Sequence, residues 1–305
     1  PDRALKMLED CLALEEDSDD PNIIETQARL ARFHLQQRNN EQAEHYADEV
    51  IRKSPQNVSA HFTKGSILLM RRDGERARAE FRTVVSEQPD FIAGYLRLAE
   101  AHVISNELEL AEDTLQNAQK IEPDSREVAI ALSRVYALKK DLDASERELR
   151  KLLEKNPDDL QVRAGLGDLL LARERYDAAE AQYRAIREKA PENPTGYLKL
   201  ARLYGRSDRI DDAVGVLRQG YDANPDNAVL LASLVRGYLA QGSPEKAMVA
   251  CIQRLEKNPQ EAFTLNLMGQ IHVARQDYNA AEASFQKAIA AQPAWPVPHN
   301  NMARL

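Results

Sequence analysis

The chain has 305 residues, with 41 Lys and Arg against 49 Asp and Glu, for a formal net charge of −8. That acidic excess argues against a general nucleic-acid binder, whose affinity rests on neutralising phosphates, and no stretch interleaves aromatic with basic residues as a base-stacking platform would. No apolar run approaches the length of a membrane span. Cys11 and Cys251 form no motif, so both are expected as free, inert thiols.

In chain order, the sequence opens at Pro1, without an initiator Met, on Ala4, Leu8 and Leu12. This is the pattern of the second helix of a hairpin whose first helix is missing. An acidic run from Glu15 to Asp20 follows, in a loop longer than any later connection. From Ile24 onward a 34-residue unit recurs eight times without insertion or deletion. Positions in the unit are called slots here, with Ile24 as slot 1. Prolines close the units at Pro55, Pro89, Pro123, Pro157, Pro191, Pro225, Pro259 and Pro293. A ring without an N–H cannot continue a helix, so each marks a helix end.

Repeat five, Asp159 to Asn193, shows the unit most clearly. Leu166, Gly167 and Leu170 share one face of a first helix, and Ala179, Tyr183 and Ile186 share one face of a second. Slot 7 is apolar except at Lys64, and slot 8 stays small, as in Ala31, Gly65, Ala99, Ser133, Gly167, Ala201 and Gly269. Slot 20 is Ala throughout except for Ser145, while slot 24 holds larger residues such as Phe81, Leu115, Tyr183 and Phe285. Small residues at slots 8 and 20 let two helices approach closely, and residues at slots 4, 7, 11 and 24 fill the remaining space. Asn57, Ser125, Asp159, Asn193 and Asn227 stand where N-caps belong, and Pro194 stands at a first helical position. Pro296 to Leu305 begins a ninth unit, with Met302 and Ala303 in slots 7 and 8, and stops mid-helix. The expected organisation is one continuous array. Residues 1–23 form a partial hairpin and acidic loop, 24–295 eight repeats, and 296–305 the start of a ninth. Both ends read as cuts in a longer repeat protein.

This pattern resembles the tetratricopeptide repeat family, with its W-x-x-L-G-x-x-Y, A-x-x-x-F and P positions at a 34-residue period. The resemblance implies an all-α fold, a right-handed superhelical solenoid of antiparallel helix hairpins whose first helices line the concave wall. One hairpin cannot bury its own apolar stripe, so stability is spread along a one-dimensional array. More narrowly, long regular arrays of this kind resemble bacterial scaffolds, including those of exopolysaccharide assembly and export.

Little in the sequence points to catalysis. His34, His102 and His272 occupy slot 11, and His61 and His299 occupy slot 4. These slots hold tyrosine in other repeats, and no two histidines are spaced as metal ligands on adjacent turns, so structural roles are expected and no metal or cofactor. Gly215 to Gly220 has the spacing of a phosphate loop, but Tyr221 stands where lysine is required and the segment reads as helix. Acidic pairs such as Asp211–Asp212 sit at helix starts, where carboxylates complement the helix dipole.

The free face of the first helix comprises slots 2, 5, 6, 9, 12 and 13. Its bases are Arg29, Arg32, Arg97, Arg134, Lys199, Arg202, Arg206 and Arg236, against the acids Glu25, Glu100, Glu127 and Asp168. A basic inner face in an acidic chain would steer acidic ligands inward. Repeats two to four carry Phe62, Leu69, Met70, Leu96, Val103, Ile104 and Ile130 there, whereas repeats six and seven carry the bases from Lys199 to Arg236. One reading is a groove for an extended peptide, apolar towards one end and acidic or carboxylate-bearing towards the other. The other is that slots 5 and 12 pack neighbouring helices and the arginines are solvated.

Two binding modes of the family do not match. The chaperone-tail clamp calls for Lys at slot 5, which here is Ala28, Phe62, Leu96, Ile130, Ala164, Leu198, Ala232 or Asn266. The asparagine ladder of sugar-transferring members calls for repeated Asn at slot 6, which is absent from all eight repeats. The reading is thus a non-enzymatic scaffold for a protein or peptide partner, with no nucleic acid and no direct membrane insertion. The alternative is a regulatory or substrate-presenting segment of a larger enzyme such as a transferase. Self-association through truncated ends is a further expectation. The compartment, cytoplasm or bacterial envelope, depends on sequence before Pro1.

Overall fold

A computed structural model describes residues 19–305; Cys11 and the opening helical pattern lie outside the described residues. The described chain is built of helix hairpins and contains no strand. Repeat one pairs α1 (Pro21–Gln36) with α2 (Asn40–Lys53), and repeat two pairs α3 (Val58–Met70) with α4 (Gly74–Glu87). Repeats three and four pair α5 (Ile92–Ile104) with α6 (Leu108–Ile121), and α7 (Arg126–Leu138) with α8 (Leu142–Lys155). Repeat five joins α9 (Leu160–Ala172) to α10 (Tyr176–Lys189), and repeat six joins α11 (Pro194–Arg206) to α12 (Ile210–Ala223). Repeat seven joins α13 (Ala228–Ala240) to α14 (Pro244–Lys257), and repeat eight joins α15 (Ala262–Ala274) to α16 (Tyr278–Ala291). The short α17 (Pro296–Met302) opens the ninth. The chain divides into two compact units, the first ending at Lys155 and the second starting at Asn156.

Local chemistry sets the helix limits. Asn57, Asp159, Asn193 and Asn227 accept backbone N–H groups of the first helical turn, as their positions predict. Ser125 occupies its N-cap position but makes no side-chain cap bond. Between the helices of every hairpin, one residue adopts a left-handed conformation: Arg38, Arg72, Asn106, Lys140, Glu174, Asp208, Gly242 and Gln276. In repeat one, Arg38 N–H donates to Leu35 O and Asn39 N–H to His34 O, the paired bonds of a Schellman cap. The same pair recurs in repeat two, from Arg72 to Leu69 and from Asp73 to Leu68. Only Gly242 among these residues adopts that conformation without a Cβ clash.

Packing within a hairpin follows a size rule. Gly65, Gly167 and Gly269 in slot 8 lie against the slot-24 rings of Phe81, Tyr183 and Phe285. A Cβ on Gly65 would stand 2.7 Å from Phe81 Cζ, and the approach is closer still in the other two. Where slot 24 is Leu115, Leu149 or Leu217, slot 8 enlarges to Ala99, Ser133 or Ala201, and opposite Cys251 it becomes Val235. Size is thus exchanged between the two slots in repeats two to eight, while repeat one sets Ala31 against Ala47 and does not follow the rule.

Between repeats, each second helix packs on the next first helix within a unit. Polar contacts fix that register. Arg71 pairs with Glu44 at 2.6 Å, Lys139 with Glu112 at 2.6 Å, Arg209 with Glu180 at 3.2 Å, and Arg78 with Glu107. Slot 4 differs from expectation. Besides filling space, it donates to the carbonyl of the preceding proline, as His61 Nε2 does to Pro55 at 2.9 Å, Tyr95 to Pro89, Arg163 to Pro157 and His299 to Pro293. The proline ends a helix, so its neighbourhood has a carbonyl in need of a donor.

Lys64, the exception in slot 7, is also explained. Its ammonium reaches Asp48 at 2.7 Å and Glu80 at 3.5 Å, while Glu80 also takes His61 Nδ1 at 2.5 Å. The largest influence on His61 is that hydrogen bond, which raises its pKa. Burial pushes Glu80 up, but the His61 bond and the Lys64 charge outweigh it and leave its pKa lowered.

Candidate interaction face

Within each unit, first helices of successive repeats also touch one another, while second helices make no comparable contact. The first helices therefore lie on the inner side of each unit's stack. In the first unit, slots 5 and 12 are buried or half-buried in all four repeats, whereas Gly205 and Val273 in slot 12 of the second unit are exposed.

In the first unit, Phe62 is not a free groove residue. Its ring meets Phe81 edge-on at 5.6 Å and Phe91 at 5.5 Å. Leu69 is buried, Leu96 packs on the core around Ala99 and Leu115, and Ile130 is half-buried. Met70 and Leu138, both in slot 13, are the apolar residues that stay open, each more than half exposed. Arg29 and Arg97 are held within their own helices by Glu25 at 2.8 Å and Glu100 at 2.7 Å. Arg134 is exposed and makes no ion pair with the described residues.

The second unit is different. Lys199 is not free, because its ammonium pairs with Asp168 of the preceding repeat. Asp168 also accepts the Tyr183 hydroxyl at 2.8 Å. Burial, and then that hydrogen bond to a carboxylate, push the Tyr183 pKa well above its ordinary value. Arg202, Arg206 and Arg236 remain exposed and unmatched by any carboxylate among the described residues. Arg236 reaches only the Ser233 hydroxyl, at 3.3 Å. Arg202 and Arg206 are one turn apart on α11, and Arg236 holds the same slot as Arg202 on the adjoining α13. Three positive charges thus share a face with nothing to neutralise them.

Slot 2 also belongs to the free face, and in this unit it turns apolar. It holds Val229, Phe263 and Val297 in repeats seven to nine, where repeats one and four have Glu25 and Glu127. Val229 is 57% exposed and Val297 39%, and Phe263 stacks on Trp295 with centroids 6.1 Å apart.

His34, His61 and His102 are buried, and no group among the described residues could hold a metal ion. Gly215 and Gly220 lie inside α12, so no phosphate loop exists there. Cys251 is buried, and burial raises its thiol to about 12, so the expected inert thiol is found at this position. No helix among the described residues is long and apolar enough to cross a membrane.

The tetratricopeptide repeat family matches residues 29–90 and 198–262, with a second set of matches running through 68–135, 105–169, 136–203 and 170–220, and a further one at 264–294. The chain is a tetratricopeptide repeat protein. Its fold is similar to that of yeast Tom70, with a TM-score of 0.60 at 15% identity over 99% of this chain and 62% of that one. A tetratricopeptide repeat protein from Parabacteroides merdae gives a TM-score of 0.49 at 16% identity over 81% and 97%. A thermophilic one from Thermus thermophilus gives 0.47 at 24% identity over 59% and 98%. At these identities the Tom70 likeness speaks for the fold alone. No curated protein matches the sequence. Tetratricopeptide arrays are in general protein-interaction modules without catalytic groups of their own.

Proposed function

We propose that this tetratricopeptide protein is a non-catalytic scaffold that holds an acidic segment of a partner protein on the first-helix face of repeats six and seven. The observation behind this reading is the set Arg202, Arg206 and Arg236, three exposed guanidinium groups without carboxylate partners in a chain of net charge −8. Every other basic residue on that face of the second unit, namely Lys199, is already paired. Guanidinium forks match carboxylates bidentately, and an uncompensated cluster in an acidic molecule concentrates anionic ligands locally.

The test is charge reversal. Changing Arg202, Arg206 and Arg236 together to Glu should abolish binding of a fluorescein-labelled acidic peptide while leaving helicity intact, because exposed substitutions rarely change stability much. An unaltered affinity in the triple variant would remove the proposal.

A further inference from the structure

We infer that the ligand of this face is amphipathic rather than simply polyanionic: an acidic protein segment whose apolar side chains lie on Val229, Phe263 and Val297 while its carboxylates meet the arginines. The inference rests on the arginine reading above and adds a second anchor to it.

Val229 is the most exposed large hydrophobic side chain among the described residues, at 57%. It sits in the first turn of α13, seven residues before Arg236. Seven residues return within about 20° of the same direction on a helix and rise about 10 Å, so Val229 and Arg236 stand in line on one side of α13. On α15 the same position is Phe263, and on α17 it is Val297. The α17 segment is tied to α15 at two points. Asn301 Nδ2 donates to Asn266 Oδ1 at 2.9 Å, and Trp295 stacks on Phe263. With adjoining first helices about 8–10 Å apart, the three apolar side chains form a row about 20 Å long. The arginines lie towards the C-terminal ends of α11 and α13, so the two rows meet at α13.

This arrangement has two edges of different chemistry. Glu25 and Glu127 occupy slot 2 in repeats one and four, and Gln161 and Thr195 do so in repeats five and six. Solvent-facing polar residues are therefore acceptable in this slot, and the change to Val, Phe and Val begins where the arginine row ends. Exposed valines contribute nothing to binding a polyanion, whereas they suit leucine- or valine-sized side chains from which water is expelled on contact. Two of the three members of the row are aliphatic, and aliphatic side chains make poor stacking partners for nucleic-acid bases.

Trp295 is the only tryptophan, so its emission reports on the apolar row directly. Two synthetic peptides of equal length and charge serve as probes, one alternating Leu with Glu at helical spacing and one with every Leu replaced by Ser, with oligo-dT as a polyanion control. The Leu peptide should bind at least about tenfold more tightly, keep binding when salt is raised enough to shorten the Debye length to a few ångströms, and shift Trp295 emission. Val229→Ser with Val297→Ser, both exposed positions, should erase that tenfold advantage and leave the Ser peptide's affinity unchanged. Equal affinity for the two peptides, or an advantage that survives the valine changes, overturns this inference alone. Leu-peptide binding that depends on the valines but ignores arginine reversal overturns the acidic-ligand reading instead. Failure of both peptides, or tighter binding of oligo-dT, overturns both.

Discussion

Replacing Gly65 by Ala should destabilise the protein, and replacing Phe81 by Leu in the same molecule should restore most of what is lost. The added Cβ would lie 2.7, 2.9 and 3.0 Å from Phe81 Cζ, Cε2 and Cε1. The ring cannot retreat easily, because Phe81 is fully buried and Phe62 abuts it at 5.6 Å. Overpacking of this kind costs about 1–3 kcal/mol. Phe81→Leu alone should cost roughly 1 kcal/mol, the typical difference between truncating a buried Phe and a buried Leu to Ala. The double variant reproduces the Ala99–Leu115 pair that the chain already uses one repeat later. The two changes should therefore couple favourably, by about 1–3 kcal/mol in a double-mutant cycle. Urea unfolding followed by circular dichroism measures all four proteins. Additive effects would refute the idea that slots 8 and 24 share one fixed volume.

The inter-helix turn offers a second test: Gly242→Ala should lower stability by about 1 kcal/mol, since Gly242 has φ of 71°, and Lys140→Gly, at φ of 64°, should move the thermal midpoint the opposite way. His61 gives a pH signature, because both of its ring nitrogens face acceptors, Glu80 and the Pro55 carbonyl, so the site suits the doubly protonated ring. Its pKa is raised on folding, so its contribution is complete below the unfolded value near 6.5 and is lost as pH rises through the raised value. The lowered Glu80 pKa means that its share is present above about 4.5 and is lost as pH falls through the lowered value. His61→Gln should accordingly cost roughly 1–3 kcal/mol near pH 6 and less near pH 9 in paired denaturation curves. On the binding face, Lys199→Ala should weaken acidic-peptide binding by about two- to fivefold at low salt, because it leaves the Asp168 carboxylate uncompensated beside the arginines. Asp168→Asn should free the Lys199 ammonium, tightening binding by about two- to fivefold at low salt, a change of under 1 kcal/mol, and raising the acetylation rate of Lys199 by mass spectrometry.

The hairpin and its repetition are legible in the residues of one unit. Prolines every 34 residues end the second helices, asparagine and aspartate caps start many of the first, and the pairing of Gly65 with Phe81 or Ala99 with Leu115 can be read at a fixed separation. Those features are local to one hairpin, so one unit's residues suffice to fix them. The left-handed turn residue has no sequence signature, because seven of its eight occurrences lack glycine and the backbone bonds that enforce it leave no side-chain signal. Which residues of the first helix stay free depends instead on packing between repeats. A helical wheel puts Phe62, Leu96 and Lys199 on an open face, yet Phe62 and Leu96 are half-buried against neighbouring side chains and Lys199 is paired with Asp168 of the preceding repeat. In an array whose units have no interior of their own, the neighbour makes both the core and the surface, and the neighbour is what a single unit's pattern omits.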